Sequence, residues 1–168
     1  MTRKEQDAFL SKEHAEAMRY MENAKETLKK AEKQDDGYYV DAKYVRSACG
    51  IAYLGVLLAV DAWLALKGVS LSGKKKSIDL YEQTVAQMDK KMLARLKAAY
   101  GALHLSGYYH GATSVDIIGG GFKVAYEIID KIKPENPVEV AETRGDKTTR
   151  IWNRMMISLA VMFMGNRV

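Results

Sequence analysis

Residues 48–66 read ACGIAYLGVLLAVDAWLAL, and this stretch decides the fold. It is apolar on nearly every side, which is typical of an α-helix that several neighbouring elements bury. Asp41 is suited to cap this helix at its start and Gly68 to end it, so we predict a central core helix between them. Gly50 and Gly55 lower its helix propensity, and we expect another backbone to approach closely there.

Apolar residues at alternating spacings of three and four predict further helices on both sides of the core helix. Ser77 and Asp89 are suited to cap two pieces of a third helical region. Thr113 or Ser114 caps the last helix of this set, and Pro134 stops it. The predicted helices besides the core helix lie at about 7–33, 77–87, 89–107 and 113–133.

Residues 134–168 differ in character from the helices before them. Pro134 and Pro137 lie in a stretch without helical period, which is typical of a linker. A further helix rich in Trp and Met is predicted at about 148–164, and it packs either on the bundle or on a second subunit. We therefore expect an all-α protein: an antiparallel four-helix up-and-down bundle over residues 1–133, with an additional C-terminal helix.

The composition is that of a packed globular protein, with 48% apolar and 28% charged residues in 168. Met1–Leu10 lacks the apolar segment of a signal peptide. Ile157–Met164 is too short to cross a bilayer, which takes about 20 residues as a helix. We therefore expect a cytoplasmic protein that has no membrane anchor. The single cysteine, Cys49, excludes an internal disulfide and is expected to be a small buried hydrophobe.

The net charge of +5 would suit an acidic partner such as nucleic acid. The clearest basic cluster is Lys74–Lys76, in a loop between two predicted helices. A solvated polar face explains such a cluster better than a phosphate-binding stripe does. Nucleic acid therefore stays a candidate partner, without a motif that demands it.

The candidate ligand-binding site lies near the end of the third helical region. Tyr100, His104 and Tyr108 are spaced by four, so they share one face of a helix. An imidazole and two phenols placed there could stack on a base or bind a small polar ligand. Aromatic packing in the core, with the hydroxyls reaching solvent, explains the same pattern. The candidate residues are Lys97, Tyr100, His104, Tyr108, Tyr109 and His110.

Sequence motifs of metal sites and of common catalytic centres are missing from the chain. There is no H-E-x-x-H, no pair of E-x-x-H, no P-loop and no nucleophile elbow. His110 would lie about 240° around a helix from His104, so the two could ligate one metal only if the helix ended between them. We therefore expect no metal, no cofactor and no assignable catalytic residue. His14, on the apolar seam of the first helix, is predicted to be a hydrogen-bonded core residue.

The order of elements resembles that of HEPN-like four-helix bundles, a group that includes nucleotidyltransferase-associated substrate-binding proteins and ribonuclease toxins. The resemblance covers roughly residues 10–133. It rests on a long amphipathic first helix, an apolar second helix ending at Gly68, and the turn GYYHG at 107–111 that leads into an aliphatic helix. It implies a helical bundle that forms a symmetric dimer, with a nucleotidyltransferase-type protein as a candidate partner.

The ribonuclease members carry an arginine followed, after four to six residues, by a histidine on the same helix. Arg95 precedes His104 by nine positions and would point to the opposite side of a helix. Lys97 has the matching spacing, but lysine lacks the planar fork with which arginine grips a phosphate. The leading hypothesis is therefore a non-catalytic, homodimeric binding or interaction bundle for a nucleotide, a nucleic acid or a partner protein. The alternatives are a divergent ribonuclease that uses Lys97 and His104, and a purely structural helical oligomer.

Overall fold

The computed structural model describes residues 1–71 and 73–135, so the linker and the C-terminal helix predicted at 148–164 lie outside the described residues. In the described ranges the backbone is helical, with two isolated β-bridges and no strand, which confirms the all-α class. The elements are α1 (Arg3–Lys29), α2 (Ala42–Leu66), α3 (Ile78–Ala86), α4 (Lys90–Ala99), a π-helix (Tyr100–Tyr109), α5 (Val115–Ile129) and a short 3₁₀ turn (Asp130–Ile132).

Side-chain caps fix the starts of α2, α3, α4 and α5. The side chains of Asp41, Ser77 and Asp89 each accept hydrogen bonds from backbone amides two or three residues further on. Ser114, rather than Thr113, caps α5 in the same way. Each cap satisfies an amide that has no partner within its helix, which is why the predicted starts are confirmed.

The first helix starts earlier than the sequence predicts. It begins at Arg3 instead of Asp7, because Thr2 and Glu5 form a capping box. The Thr2 hydroxyl accepts from the amide of Glu5, and the Glu5 carboxylate accepts from the amide of Thr2 at 2.8 Å. These hydrogen bonds satisfy backbone amides at the start of α1. The residues there lack the apolar spacing from which the helix is predicted.

The first helix also ends earlier than predicted, at Lys29 instead of Lys33. Glu32 adopts a left-handed conformation with φ 50°, which reverses the chain direction. The carbonyl oxygen of Ala31 then accepts a hydrogen bond of 3.0 Å from the amide of Val40. The chain therefore turns one helical turn sooner than the sequence pattern indicates.

The second helix forms the core, and α1, α5 and the π-helix pack against it. A Cβ atom at Gly55 would lie 3.0 Å from the Cβ of Tyr20 and 3.3 Å from the carbonyl oxygen of Ala17, so the predicted close backbone approach is confirmed there. At Gly50 the close neighbour is the ring of Tyr108, a side chain rather than a backbone. Gly55 thus lets α1 lie close to α2, and Gly50 leaves room for the ring of Tyr108.

By length and composition α2 could also cross a membrane, with a mean hydropathy of 2.0 over an 18-residue window. It is the one helix in the described part of the chain with this property. In this structure 56% of that window is buried within the protein. A helix that forms the core of a helical protein is buried by its neighbours in this way.

His14 does not have the environment that its position on the apolar seam predicts. It is half-buried, and its Nε2 atom is enclosed without a hydrogen-bond partner among the described residues. Asp130 and Lys133 lie near enough to influence its charge, but neither hydrogen-bonds to it. The prediction of a hydrogen-bonded core histidine is therefore wrong.

Candidate functional site

The candidate site lies on the π-helix, which continues α4 without a break. The third helical region therefore does not end at Gly107, as predicted, but extends to Tyr109. The amide of His110 donates to the carbonyl oxygen of Leu105, five residues back, at 2.9 Å. Most π-helices are single-turn bulges inside α-helices, frequently at functional sites, whereas this one spans 10 residues.

Two features hold the π-helix in place, and the first is Gly107. This residue is buried against the side chain of Cys49 in α2, and a Cβ atom at position 107 would overlap that side chain. Cys49 itself is fully buried, as predicted. A glycine at this point therefore lets the π-helix lie directly on the core helix.

The second feature is Arg46, which the sequence reasoning missed. Its guanidinium donates hydrogen bonds to the carbonyl oxygens of Tyr108 at 2.9 Å and Tyr109 at 2.6 Å. It also lies against Gly111, which has φ +69° and where a Cβ atom would be 2.5 Å from the guanidinium nitrogens. No sequence signal could have found this cap, because the partners are more than 60 residues away.

The structure brings Tyr100, His104 and Tyr108 together, as their spacing predicts. The His104 ring is 5.1 Å from the ring of Tyr100, centroid to centroid, and stacked at an angle of 15°. On its other side it lies 5.6 Å from the ring of Tyr108. Tyr53 of α2 completes the cluster at 5.0 Å from His104. We call these four residues the tyrosine–histidine row.

Tyr100, His104 and Tyr108 are half-buried and Tyr53 is buried, so the row meets solvent mainly through the first three residues. Within the described residues no protein group hydrogen-bonds to the hydroxyls of Tyr53, Tyr100 and Tyr108 or to the His104 imidazole. Burial lowers the pKa of His104 and raises the pKa of Tyr53, so at neutral pH both side chains are uncharged. His104 and Tyr53 can therefore take part in hydrogen bonds without carrying a charge.

The other candidate residues lie outside the row. The Lys97 ammonium pairs with Glu82 of α3 at 3.4 Å, and Glu82 lies close enough to Tyr53 of the row to help raise the pKa of its hydroxyl. Tyr109 and His110 are exposed and contact each other edge to face, with centroids 5.0 Å apart. Because the π-helix has wider turns than an α-helix, the spacing that would align Lys97 with His104 no longer applies.

An apolar strip of α2 borders the row. Gly50, Leu54 and Leu57 step by four and three along the helix, so they lie on one side of it. Leu54 is 37% exposed, Leu57 is half-buried, and the ring of Tyr108 packs over Gly50. The strip and the row together form one surface of aromatic and aliphatic groups. We call it the row surface.

Groups of three or more His, Cys, Asp or Glu side chains suited to hold a metal ion do not occur in the part of the chain that the structure describes. The candidate site is therefore built from aromatic, aliphatic and uncharged polar groups. These groups are suited to binding by packing and hydrogen bonding.

The described residues thus define an all-α protein with an aromatic site on a π-helix. Residues 12–134 match the family described as a domain of unknown function, DUF5618, and the chain belongs to this family. A solved protein of unknown function from Dyadobacter fermentans is 38% identical and aligns with a TM-score of 0.66, over 73% of this chain and 94% of that one. None of the curated proteins matches this chain.

Proposed function

We propose that the protein is a non-catalytic interaction protein that pairs through its row surface, with a second copy of the same chain as the first partner. The observation that carries the proposal is the combination of unpartnered tyrosine and histidine edges with the exposed Leu54 beside them. Tyrosine is enriched in protein interfaces, where the ring packs and the hydroxyl hydrogen-bonds, whereas charged residues are depleted from their centres.

The resemblance to HEPN-like proteins supports the same proposal. We propose that the helices form an antiparallel four-helix bundle of that type over residues 1–133. A symmetric homodimer is what the resemblance implies, with a nucleotidyltransferase-type protein as a further candidate partner, and we propose a cytoplasmic location from the character of residues 1–10. Residues 134–168 would contribute a helix that packs on the same bundle or on the second subunit.

The alternative of a divergent ribonuclease has weaker support. Lys97 is held in an ion pair with Glu82, and His104 lies among uncharged rings without a hydrogen-bonded partner in the described residues. A general acid or base needs a pKa near the working pH, whereas burial lowers the pKa of His104. These contacts favour binding over chemistry.

The proposal can be tested by light scattering on the purified chain at micromolar concentration. We expect the wild type to have the mass of a dimer and the Leu54→Asp variant the mass of a monomer, because a charge would be buried in the interface. The matched control is Ile117→Asp, which places the same charge on an exposed apolar residue of α5 and should remain dimeric. Circular dichroism would check that both variants fold. A monomeric wild type, or equal dissociation of both variants, would refute the proposal.

A further inference from the structure

An open cleft with a volume of about 370 Å³ lies at the C-terminal end of α1. Its lining combines apolar contact surface with more positive than negative groups, and it shares no residue with the row surface. The lining residues are Lys25, Leu28, Lys29, Glu32, Lys33 and Tyr39.

Two of the lysines are held over aromatic rings. The Lys25 Nζ lies 4.6 Å from the centre of the Tyr126 ring in α5, and the Lys33 Nζ lies 5.8 Å from the centre of the Tyr39 ring. A cation over an aromatic face is held in position while its positive charge is retained. In the described residues neither ammonium group has a carboxylate partner. Both are therefore positioned to attract an anion.

The third lysine is engaged only at the surface. Lys29 pairs with Glu26 at 2.6 Å, and their side chains are 71% and 68% exposed. Ion pairs of this exposure contribute little to stability and exchange readily with other partners. The Lys29 ammonium can therefore turn to a bound ligand.

Backbone hydrogen bonds fix the loop that follows α1 at one side of the cleft. The carbonyl oxygen of Ala31 accepts from the amides of Val40 and Asp41 at 3.0 Å and 3.1 Å. The amide of Tyr39 donates to the carbonyl oxygen of Thr113 at 2.8 Å, which ties this loop to the segment before α5. A binding site that is already formed loses little freedom when the ligand enters.

We propose that this cleft binds a mononucleotide. The lysines would hold the phosphate, and the planar base would pack on the half-buried Leu28 and touch the small exposed part of Tyr39, which is 7% exposed. The volume is at the lower end of the range of about 300–1,000 Å³ for small-molecule sites. The adjoining loop carries Asp35 and Asp36, whose negative charges would repel an extended polyanion. A single nucleotide therefore fits the charge pattern better than a nucleic acid strand.

The test is titration calorimetry of the full chain with AMP, adenosine and inorganic phosphate. We expect AMP to bind, and both of its parts to bind at least about tenfold more weakly, because each part makes only some of the contacts. In the double variant Lys25→Gln/Lys33→Gln, we expect the affinity for AMP to fall by at least about tenfold. The matched control is Lys90→Gln/Lys91→Gln, which removes the same charge from exposed positions in α4 and should leave AMP binding unchanged.

Four results would overturn the proposal. They are no heat with AMP, phosphate binding as tight as AMP binding, adenosine binding as tight as AMP binding, and equal loss of affinity in both double variants. Melting temperatures of the unliganded variants would verify that each one folds. A dimer that does not bind AMP would leave the proposed interaction function intact, so the two proposals fail separately.

Discussion

Gly107 of the π-helix lies directly against the side chain of Cys49 in α2. A Cβ atom at position 107 would overlap the Cys49 side chain and come within 3.1 Å of the Cδ1 atom of Ile118. Gly107 and Cys49 are both buried. The absence of a side chain at 107 therefore sets how closely the π-helix can approach the core helix.

We expect Gly107→Ala to lower the free energy of unfolding by about 1–3 kcal/mol, because an added methyl group in a filled core forces its neighbours apart. Urea denaturation would measure the change. The control is Gly101→Ala in the same π-helix, where a Cβ atom would meet nothing within 4 Å. Equal destabilisation by both substitutions would contradict this explanation, since only one of them creates an overlap.

Three consecutive glycines in α5 should respond to alanine in opposite directions. Gly119 and Gly120 face open space, so alanine should stabilise the helix by about 0.5–1 kcal/mol at each site. Gly121→Ala should destabilise the protein, because its Cβ would lie 2.8 Å from the Cδ2 of Leu103 and 3.0 Å from the Cβ of Ala102. Thermal unfolding of the three single variants would test this order. A lower melting temperature for Gly119→Ala than for Gly121→Ala would disprove it.

Removal of the Arg46 guanidinium should loosen the end of the π-helix. Arg46→Gln cannot make both hydrogen bonds to the carbonyl oxygens of Tyr108 and Tyr109, so we expect a loss of about 1.5–3 kcal/mol in stability. Arg46→Lys should recover only part of it, because the donors of an ammonium group lie on a flexible stem and are not held in the rigid plane of a guanidinium. Hydrogen exchange should speed up at the amides of His110 and Ala112, which bond within this end of the helix. Unchanged exchange there would rule out the proposed role of Arg46.

Stability should fall as the solution is acidified below neutral pH. Burial lowers the pKa of both His14 and His104 in the folded state. The unfolded chain takes up protons on these residues from about pH 6.5 downward, whereas the folded chain does so only at lower pH. Their contribution to stability is therefore fully present above about pH 6.5 and is lost as the pH falls toward the lowered pKa.

Urea denaturation at several pH values between about 7.5 and about 5 would measure this dependence. The variant His14→Gln/His104→Gln should lose less stability over that interval than the wild type. Each single variant should lose an amount of stability between the losses of the wild type and of the double variant. If wild type and double variant have parallel profiles, the two histidines are not its source.

Local chemistry explains which features of the fold were predictable from the sequence. Asp41, Ser77 and Asp89 cap helices with their own side chains, so the signal and the structure lie within a few residues of each other. The apolar stretch at 48–66 likewise predicted α2, and the spacing of apolar residues predicted the other helices and the all-α class. The helical end at Lys29 was not predictable in this way, because it depends on the left-handed backbone of Glu32, which side chains of this type rarely adopt.

The candidate site was only partly predictable for a different reason. Tyr100, His104 and Tyr108 contact each other because residues four apart stay neighbours in both helix types. The position of His104 relative to Lys97 was not predictable from α-helical spacing, since Lys97 lies in α4 and His104 lies in the π-helix. Tyr53 and Arg46 were missed because they join the site from another helix.

The burial of Cys49 has a practical consequence for following this molecule in solution. Burial raises the pKa of its thiol to about 12, so at neutral pH the reactive thiolate is scarce and a reagent finds no route to it. Chemical labelling must therefore await a fluctuation in which the π-helix lifts from α2. Because the chain has one cysteine, the labelling rate would report on a single event. The labelling rate of Cys49 would thus show how often the contact between the π-helix and α2 opens, without any engineered substitution.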